Sequence, residues 1–270
     1  MPSIDLGDNV AMHYEIHGEG PPVLLAAGLG GASSYWVPQI AALARHFQVI
    51  VYDHRGTGRS TRHETSYTVD GMARDVLALL DALQLPDVHL IGHSTGGAIG
   101  QILAVDAPSR LRSMVLYASW TRADPVMRAI MEIRREAMRL GGARSYQRAT
   151  PVFLYPPWFV NERASEFEAA EQAAEANLPG FSIISSRIDA VLSFDRVADL
   201  PRIRVPTLIL CAEDDVLTPP YHSHRLAALI PTSKLLMLER GGHALSQVDP
   251  ERFNRIVLGF VEAQERLRRA

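Results

Sequence analysis

Gly92-His93-Ser94-Thr95-Gly96 lies between a short apolar run, Val88-His89-Leu90-Ile91, and a small-residue stretch, Thr95 to Asp106, that reads as a helix. A serine between two glycines at a strand-to-helix turn can be pushed clear of the backbone, where its Oγ can act as a nucleophile. A chance match in a loop is the plainer reading, and the flanking strand and helix argue against it. Serine is a weak nucleophile near neutral pH and needs a base, with an acid to orient that base. Thr207-Leu208-Ile209-Leu210-Cys211 reads as a buried strand followed by Ala212-Glu213-Asp214-Asp215. Leu235-Leu236-Met237-Leu238 reads as another, followed by Gly241-Gly242-His243. Acid and base would then emerge at the same sheet edge as Ser94, where open α/β sheets place their sites. Asp214 and Asp215 both remain open for the acid. An oxyanion needs two backbone donors. One is expected from Thr95 N–H and the other from Leu29 N–H, in Gly28-Leu29-Gly30-Gly31 after the run Val23 to Ala27. No lysine follows those glycines, which argues against a phosphate loop.

The elements that must hold these residues read as a parallel sheet. Ser3 to Leu6 and Ala11 to His17 flank Gly7-Asp8-Asn9 as a hairpin. From Val23 onward apolar strands, such as Val49 to Asp53, alternate with amphipathic helices. Val69, Met72, Val76, Leu80 and Leu83 recur at helical spacing after a Thr68 cap, and His54 in the turn-rich loop before them reads as structural. After Met114 to Tyr117 the rhythm changes to helical patterns, until Ile203-Arg204-Val205-Pro206 restarts the sheet. The expected division is a core of residues 1–121 and 200–270 with a helical cap over 122–199.

In the cap, Arg128, Arg134, Arg135, Arg139, Arg144 and Arg148 precede Glu162, Glu166, Glu168, Glu171 and Glu175. Two solvated faces that attract one another account for this pattern. The sharper alternative is an arginine that reaches a pocket and binds a substrate anion, with Arg134 or Arg135 the candidates. Trp120, Tyr155 and Trp158 are candidate apolar pocket walls, the last two within the Pro-broken run Val152 to Phe159.

Composition excludes several classes. A formal charge of −3 leaves no footprint for nucleic acid. A single cysteine, Cys211 in an apolar strand, excludes a disulfide framework. No run is long enough to span a bilayer, and Met1-Pro2-Ser3-Ile4-Asp5 does not begin a secretory signal, so a cytoplasmic protein is expected. His222-x-His224 lacks a third metal ligand at a telling spacing, so neither metal nor cofactor is implied. The expected partner is a small-molecule substrate, with a homodimer left open.

The chain order Ser, Asp, His and the motifs above resemble the α/β-hydrolases with an inserted cap, and the resemblance spans the whole chain. It implies a mostly parallel eight-stranded sheet flanked by helices. In that pattern the triad acid stands four residues before the proline of Asp215-Val216-Leu217-Thr218-Pro219, which selects Asp215 and leaves Asp214 as a solvated neighbour. Carried over by position, Ser94 is the nucleophile, His243 the base and Asp215 its orienting acid. Ala27 departs from the pattern where many members carry histidine, without touching the backbone donor. Gly28 to Gly31, Tyr35-Trp36-Val37-Pro38-Gln39, Tyr52 to Gly58 and Phe153-Leu154-Tyr155-Pro156 resemble the RutD-like aminoacrylate hydrolases, and next the 3-oxoadipate enol-lactonases. Both groups process small acidic metabolites. The resemblance implies a serine hydrolase acting on an ester, lactone or carbamate through an acyl-enzyme. A general carboxylesterase for apolar esters and a slow-turnover ligand receptor are the alternatives.

Overall fold

A computed structural model describes residues 2–7 and 9–269; Asp8, in the expected hairpin turn, lies outside them. β1 (Ser3–Asp5) pairs antiparallel with β2 (Ala11–His17), which pairs antiparallel with β4 (Gln48–Tyr52). β3 (Pro22–Ala26), β4, β5 (Val88–His93), β6 (Leu111–Tyr117), β7 (Thr207–Ala212) and β8 (Ser233–Leu238) run parallel, giving the order β1-β2-β4-β3-β5-β6-β7-β8. This is the eight-stranded, mostly parallel sheet that the resemblance implies.

Apolar side chains on both strand faces require a cover on each side. Leu24, Ile50, Leu90 and Met114 point into one core, filled by Met72, Val76 and Leu79 of α2 (Val69–Ala82) and Ile99 and Leu103 of α3 (Thr95–Asp106). The alternate residues Val23, Leu25, Val49, Ile91 and Val115 point into the other. There they meet Trp36, Leu43 of α1 (Val37–Leu43), and Phe253, Val257 and Val261 of α11 (Pro250–Arg269). Thr68 Oγ1 accepts Gly71 N–H at 2.9 Å, the expected cap of α2.

Strand order reverses beside β3: the chain steps from β3 outward to β4, then returns across β3 to β5. Open α/β sheets leave a crevice at the carboxyl ends of the strands where that happens. Ala26 of β3 is opposite Gly92 of β5, so the loops after these strands, with Leu29 and Ser94, flank the crevice.

Between β6 and β7 stand α4 (Pro125–Leu154), α5 (Pro157–Glu162), α6 (Ala164–Gln172), α7 (Ala174–Asn177) and α8 (Phe181–Ser193). Gly142, at φ 67°, breaks α4 into two helices. An antiparallel bridge joins Arg122 to Asp195 at the two ends of the helical stretch. After β7 come α9 (Pro220–Leu229) and, after β8, the single turn α10 (Leu245–Val248). Among the described residues no helix is long and apolar enough to cross a membrane.

Candidate active site

Ser94 sits at φ 52°, ψ −112°, a conformation that an L-residue adopts only under constraint. The constraint is visible. A Cβ on Gly92 would lie 2.4 Å from the Gly96 carbonyl oxygen, and one on Gly96 2.0 Å from that of Ala26, so only glycine allows β3, β5 and α3 to close this tightly. Ser94 N–H donates to Tyr117 O at 2.8 Å, while Ser94 O accepts Gly97 N–H and the Ser119 hydroxyl. The turn is therefore held from β6 as well as from its own helix.

A Cβ on Gly28 would lie 3.2 Å from Ser94 Cβ, which puts the β3 loop in contact with the serine. Among the described residues the N–H groups of Leu29 and Thr95 donate to nothing. They are two available donors beside one hydroxyl.

His243 follows β8, and its Nδ1 lies 2.9 Å from Asp215 Oδ2; both side chains are buried. Asp215 Oδ1 accepts Leu217 N–H and Thr218 N–H, each at 2.9 Å, and Oδ2 also accepts the Thr218 hydroxyl at 2.8 Å. Such an array fixes the plane of the carboxyl group. A carboxylate facing Nδ1 keeps the proton there and leaves the lone pair on Nε2. Asp214 is not a solvated neighbour. Its Oδ1 accepts Gly241 N–H and Gly242 N–H, both at 2.8 Å, and so anchors the loop that delivers His243.

A further support lay hidden in the sequence. His93 is buried, stacks on Tyr35 with centroids 4.6 Å apart, and donates from Nε2 to His243 O at 3.0 Å. Burial, with His243 nearby, holds its pKa well below the usual histidine value, so the ring is neutral. Tyr117 OH donates to the same carbonyl at 2.9 Å and accepts Ser246 N–H. Tyr35 and Tyr117 come from distant segments, and no local pattern announces them.

Ser94, His243, His93, Leu29 and Tyr155 line one cavity of about 380 Å³, whose roof includes Met131, Arg134, Tyr146 and Leu154. A larger cleft of about 670 Å³ shares Gly30, Ala32, Ser34 and Leu178 with it but contains neither Ser94 nor His243, so of the two it is the smaller that opens on this pair. Arg134 is only 4% exposed, and its partners are Tyr146 OH at 2.6 Å, Thr150 Oγ1 at 3.4 Å and Met131 Sδ, with no carboxylate among them. Its Nε is buried and unpartnered.

The other three candidates lie elsewhere. Arg135, one residue on, turns outward to Asp189 and Glu132. Trp120 is fully buried against Phe194, outside the cavity lining. Trp158 is 40% exposed and carries Arg240 over its ring. Of the arginine-to-glutamate pattern, Arg144 and Arg148 reach Glu171 across the cap, while Arg139 meets Glu136 within α4.

A family model described as the alpha/beta hydrolase fold matches residues 21–250. A relative from Azorhizobium caulinodans bearing the name "Putative carbamate hydrolase RutD" is 44% identical over 254 residues, 94% of this chain and 96% of its own. One of the same name from Caulobacter vibrioides is 38% identical over 268 residues, covering 97% and 99%. Among solved structures, a hydrolase from Pseudomonas aeruginosa superposes with a TM-score of 0.86 at 31% identity, covering 96% of this chain and 97% of that one. The enol-lactonase from Burkholderia xenovorans superposes at 0.88 with 25% identity, covering 97% and 100%.

Proposed function

This chain belongs to the α/β-hydrolase family, and from that premise we propose that it is a serine hydrolase of a small carboxylate-bearing ester, lactone or carbamate. The observation that carries the reading is that Ser94, on its constrained turn, and His243, backed by Asp215, open on one cavity. His243 Nε2 takes the Ser94 hydroxyl proton as Oγ bonds to the carbonyl carbon. Leu29 and Thr95 N–H groups receive the oxyanion. The tetrahedral intermediate collapses as the leaving oxygen or nitrogen takes the proton from His243. Water then attacks the acyl-enzyme, gives a proton to His243, and releases the acid while Ser94 regains its hydrogen.

Helices α4 to α8 act as the cap, in line with a division near residues 122 and 199. The chain works in the cytoplasm in this reading, in keeping with its single buried, unpaired Cys211. Turnover of p-nitrophenyl acetate, with stoichiometric labelling of Ser94 by a fluorophosphonate, tests the hydrolase assignment. Absence of both would overturn it and favour a ligand receptor.

Arg134 supplies the specificity. Arg134 is buried with two hydroxyls and a thioether as its acceptors and its Nε unpaired, a desolvation cost of several kcal/mol that an anion beside it would offset. The cavity over Ser94 is where such an anion would sit. Arg134→Met, close in volume, is expected to raise KM for a carboxylate-bearing ester about 10- to 100-fold, the worth of a hydrogen bond to a charged group. The matched neutral ester should be unaffected. Equal effects on both would return Arg134 to a packing role and leave a general esterase.

A further inference from the structure

Arg187, on α8, is 1% exposed and has no carboxylate among its partners. Its Nε and Nη2 both donate to Leu29 O, at 3.1 and 2.8 Å; Nη1 donates to Arg55 O at 3.1 Å, and Nη2 to His54 Nδ1 at 3.1 Å. The guanidinium also lies over the Tyr67 ring. Burial pulls its pKa down to about 10, so it remains a cation at neutral pH. His54, held neutral chiefly by burial, offers a lone pair rather than a competing charge.

Three ties fix the loop after β3. Gly31 N–H donates to Gly28 O at 3.0 Å, His54 N–H donates to Gly31 O at 2.8 Å, and Leu29 O is gripped by Arg187. The first two come from the core; the third comes from the helices inserted between β6 and β7. Glycines on both sides of Leu29 give the loop many alternative conformations, so its carbonyl needs a partner to choose one. Among the described residues, Leu29 O has no other donor than Arg187. Simple packing of α8 would be served as well by an apolar side chain, which would spare the desolvation of a guanidinium.

The geometry points to Arg187 as a positioning residue: it fixes the Leu29–Gly30 peptide at Leu29 O while the Gly31 N–H to Gly28 O bond fixes the preceding peptide, and the two together set the Leu29 torsions that aim Leu29 N–H at the oxyanion, so the hole is complete only when the cap is seated. This rests on the reading of Leu29 N–H as an oxyanion donor. Because Arg187 holds the loop at the Leu29 carbonyl and lies outside the lining of the Ser94 cavity, its loss should weaken the transition state and spare the ground state.

The test compares wild type, Arg187→Lys and Arg187→Met, using p-nitrophenyl acetate and a matched pair of inhibitors, a trifluoromethyl ketone and the corresponding methyl ketone. The first forms an anionic adduct with the serine; the second binds without one. Arg187→Met is expected to lower kcat on the order of 10²- to 10³-fold, the cost of one oxyanion donor, with KM little changed. The trifluoromethyl ketone should weaken by a similar factor and the methyl ketone should not. Lysine, with one ammonium able to reach Leu29 O, should recover part of the loss and, as a variant that keeps a cation at the site, serves alone if the methionine variant does not fold. Unchanged kcat, or equal weakening of both ketones, would reduce Arg187 to a structural anchor. Ser94→Ala run alongside reports on the hydrolase reading separately: if it bound the trifluoromethyl ketone as tightly as wild type, the nucleophile assignment would fall, whatever Arg187 did.

Discussion

Ser94→Ala is expected to lower kcat on the order of 10⁶-fold, the loss seen when a triad nucleophile is removed. Alanine is under the same backbone constraint as serine at φ 52°, and Gly92, Gly96 and the Tyr117 carbonyl hold the turn around it, so only Oγ is lost. Substrate affinity should persist, because the cavity walls and Arg134 are untouched. Residual turnover would come from the Leu29 and Thr95 donors and from binding alone. Steady-state kinetics and fluorophosphonate labelling check this together, and a variant that kept near-native esterase activity would remove Ser94 from the mechanism.

The second large effect separates two adjacent acids. Asp215→Asn is expected to cost on the order of 10⁴ in kcat. Asp215 Oδ1 faces two backbone donors, the N–H groups of Leu217 and Thr218, so the amide oxygen of asparagine will take that position. Its NH₂ is then turned to His243 Nδ1, which can only accept from it, and the ring proton moves to Nε2, the atom required as base. Asp214→Asn should cost less than about tenfold, since one amide oxygen can still accept both Gly241 and Gly242 N–H groups. A kcat ranking in which Asp214→Asn was the more damaging would transfer the orienting role.

These two acids also mark the limit of what local sequence reveals. Ser94 was legible because Gly92 and Gly96 stand beside it in the chain, although Gly96 also makes room for the distant Ala26 carbonyl of β3. The sheet was legible because burial on both faces leaves continuous apolar runs, as in β3, β5 and β7. Asp214 was misread because its task, holding the Gly241–Gly242 turn, is performed across a gap in sequence. Arg134 and Arg135 could not be ranked, since successive residues on a helix point in different directions and the cap pattern is polar on several sides. Arg187 carries no mark in the sequence for a related reason: it becomes exceptional only when α8 packs on loops from the other end of the chain. Trp120 is apolar enough for a pocket wall, but Phe194 covers it from the far end of the insertion.

Because Arg122 and Asp195 are bridged, the chain leaves the sheet and returns to it through a single doorway, with Arg196 tied to Asp70 on α2 and Asp106 on α3 just beyond. Seen from the sheet, everything between is an excursion whose length costs little, since closing a longer loop adds only slowly to the entropic penalty. Changes within those helices can therefore leave the register of β6 and β7 in place. The residue at position 187 also holds the Leu29 carbonyl. A lineage that exchanged its cap would have to bring an equivalent hand for the Leu29 carbonyl, and this makes position 187 the place where freedom to explore new substrates is checked by the need to keep the old chemistry.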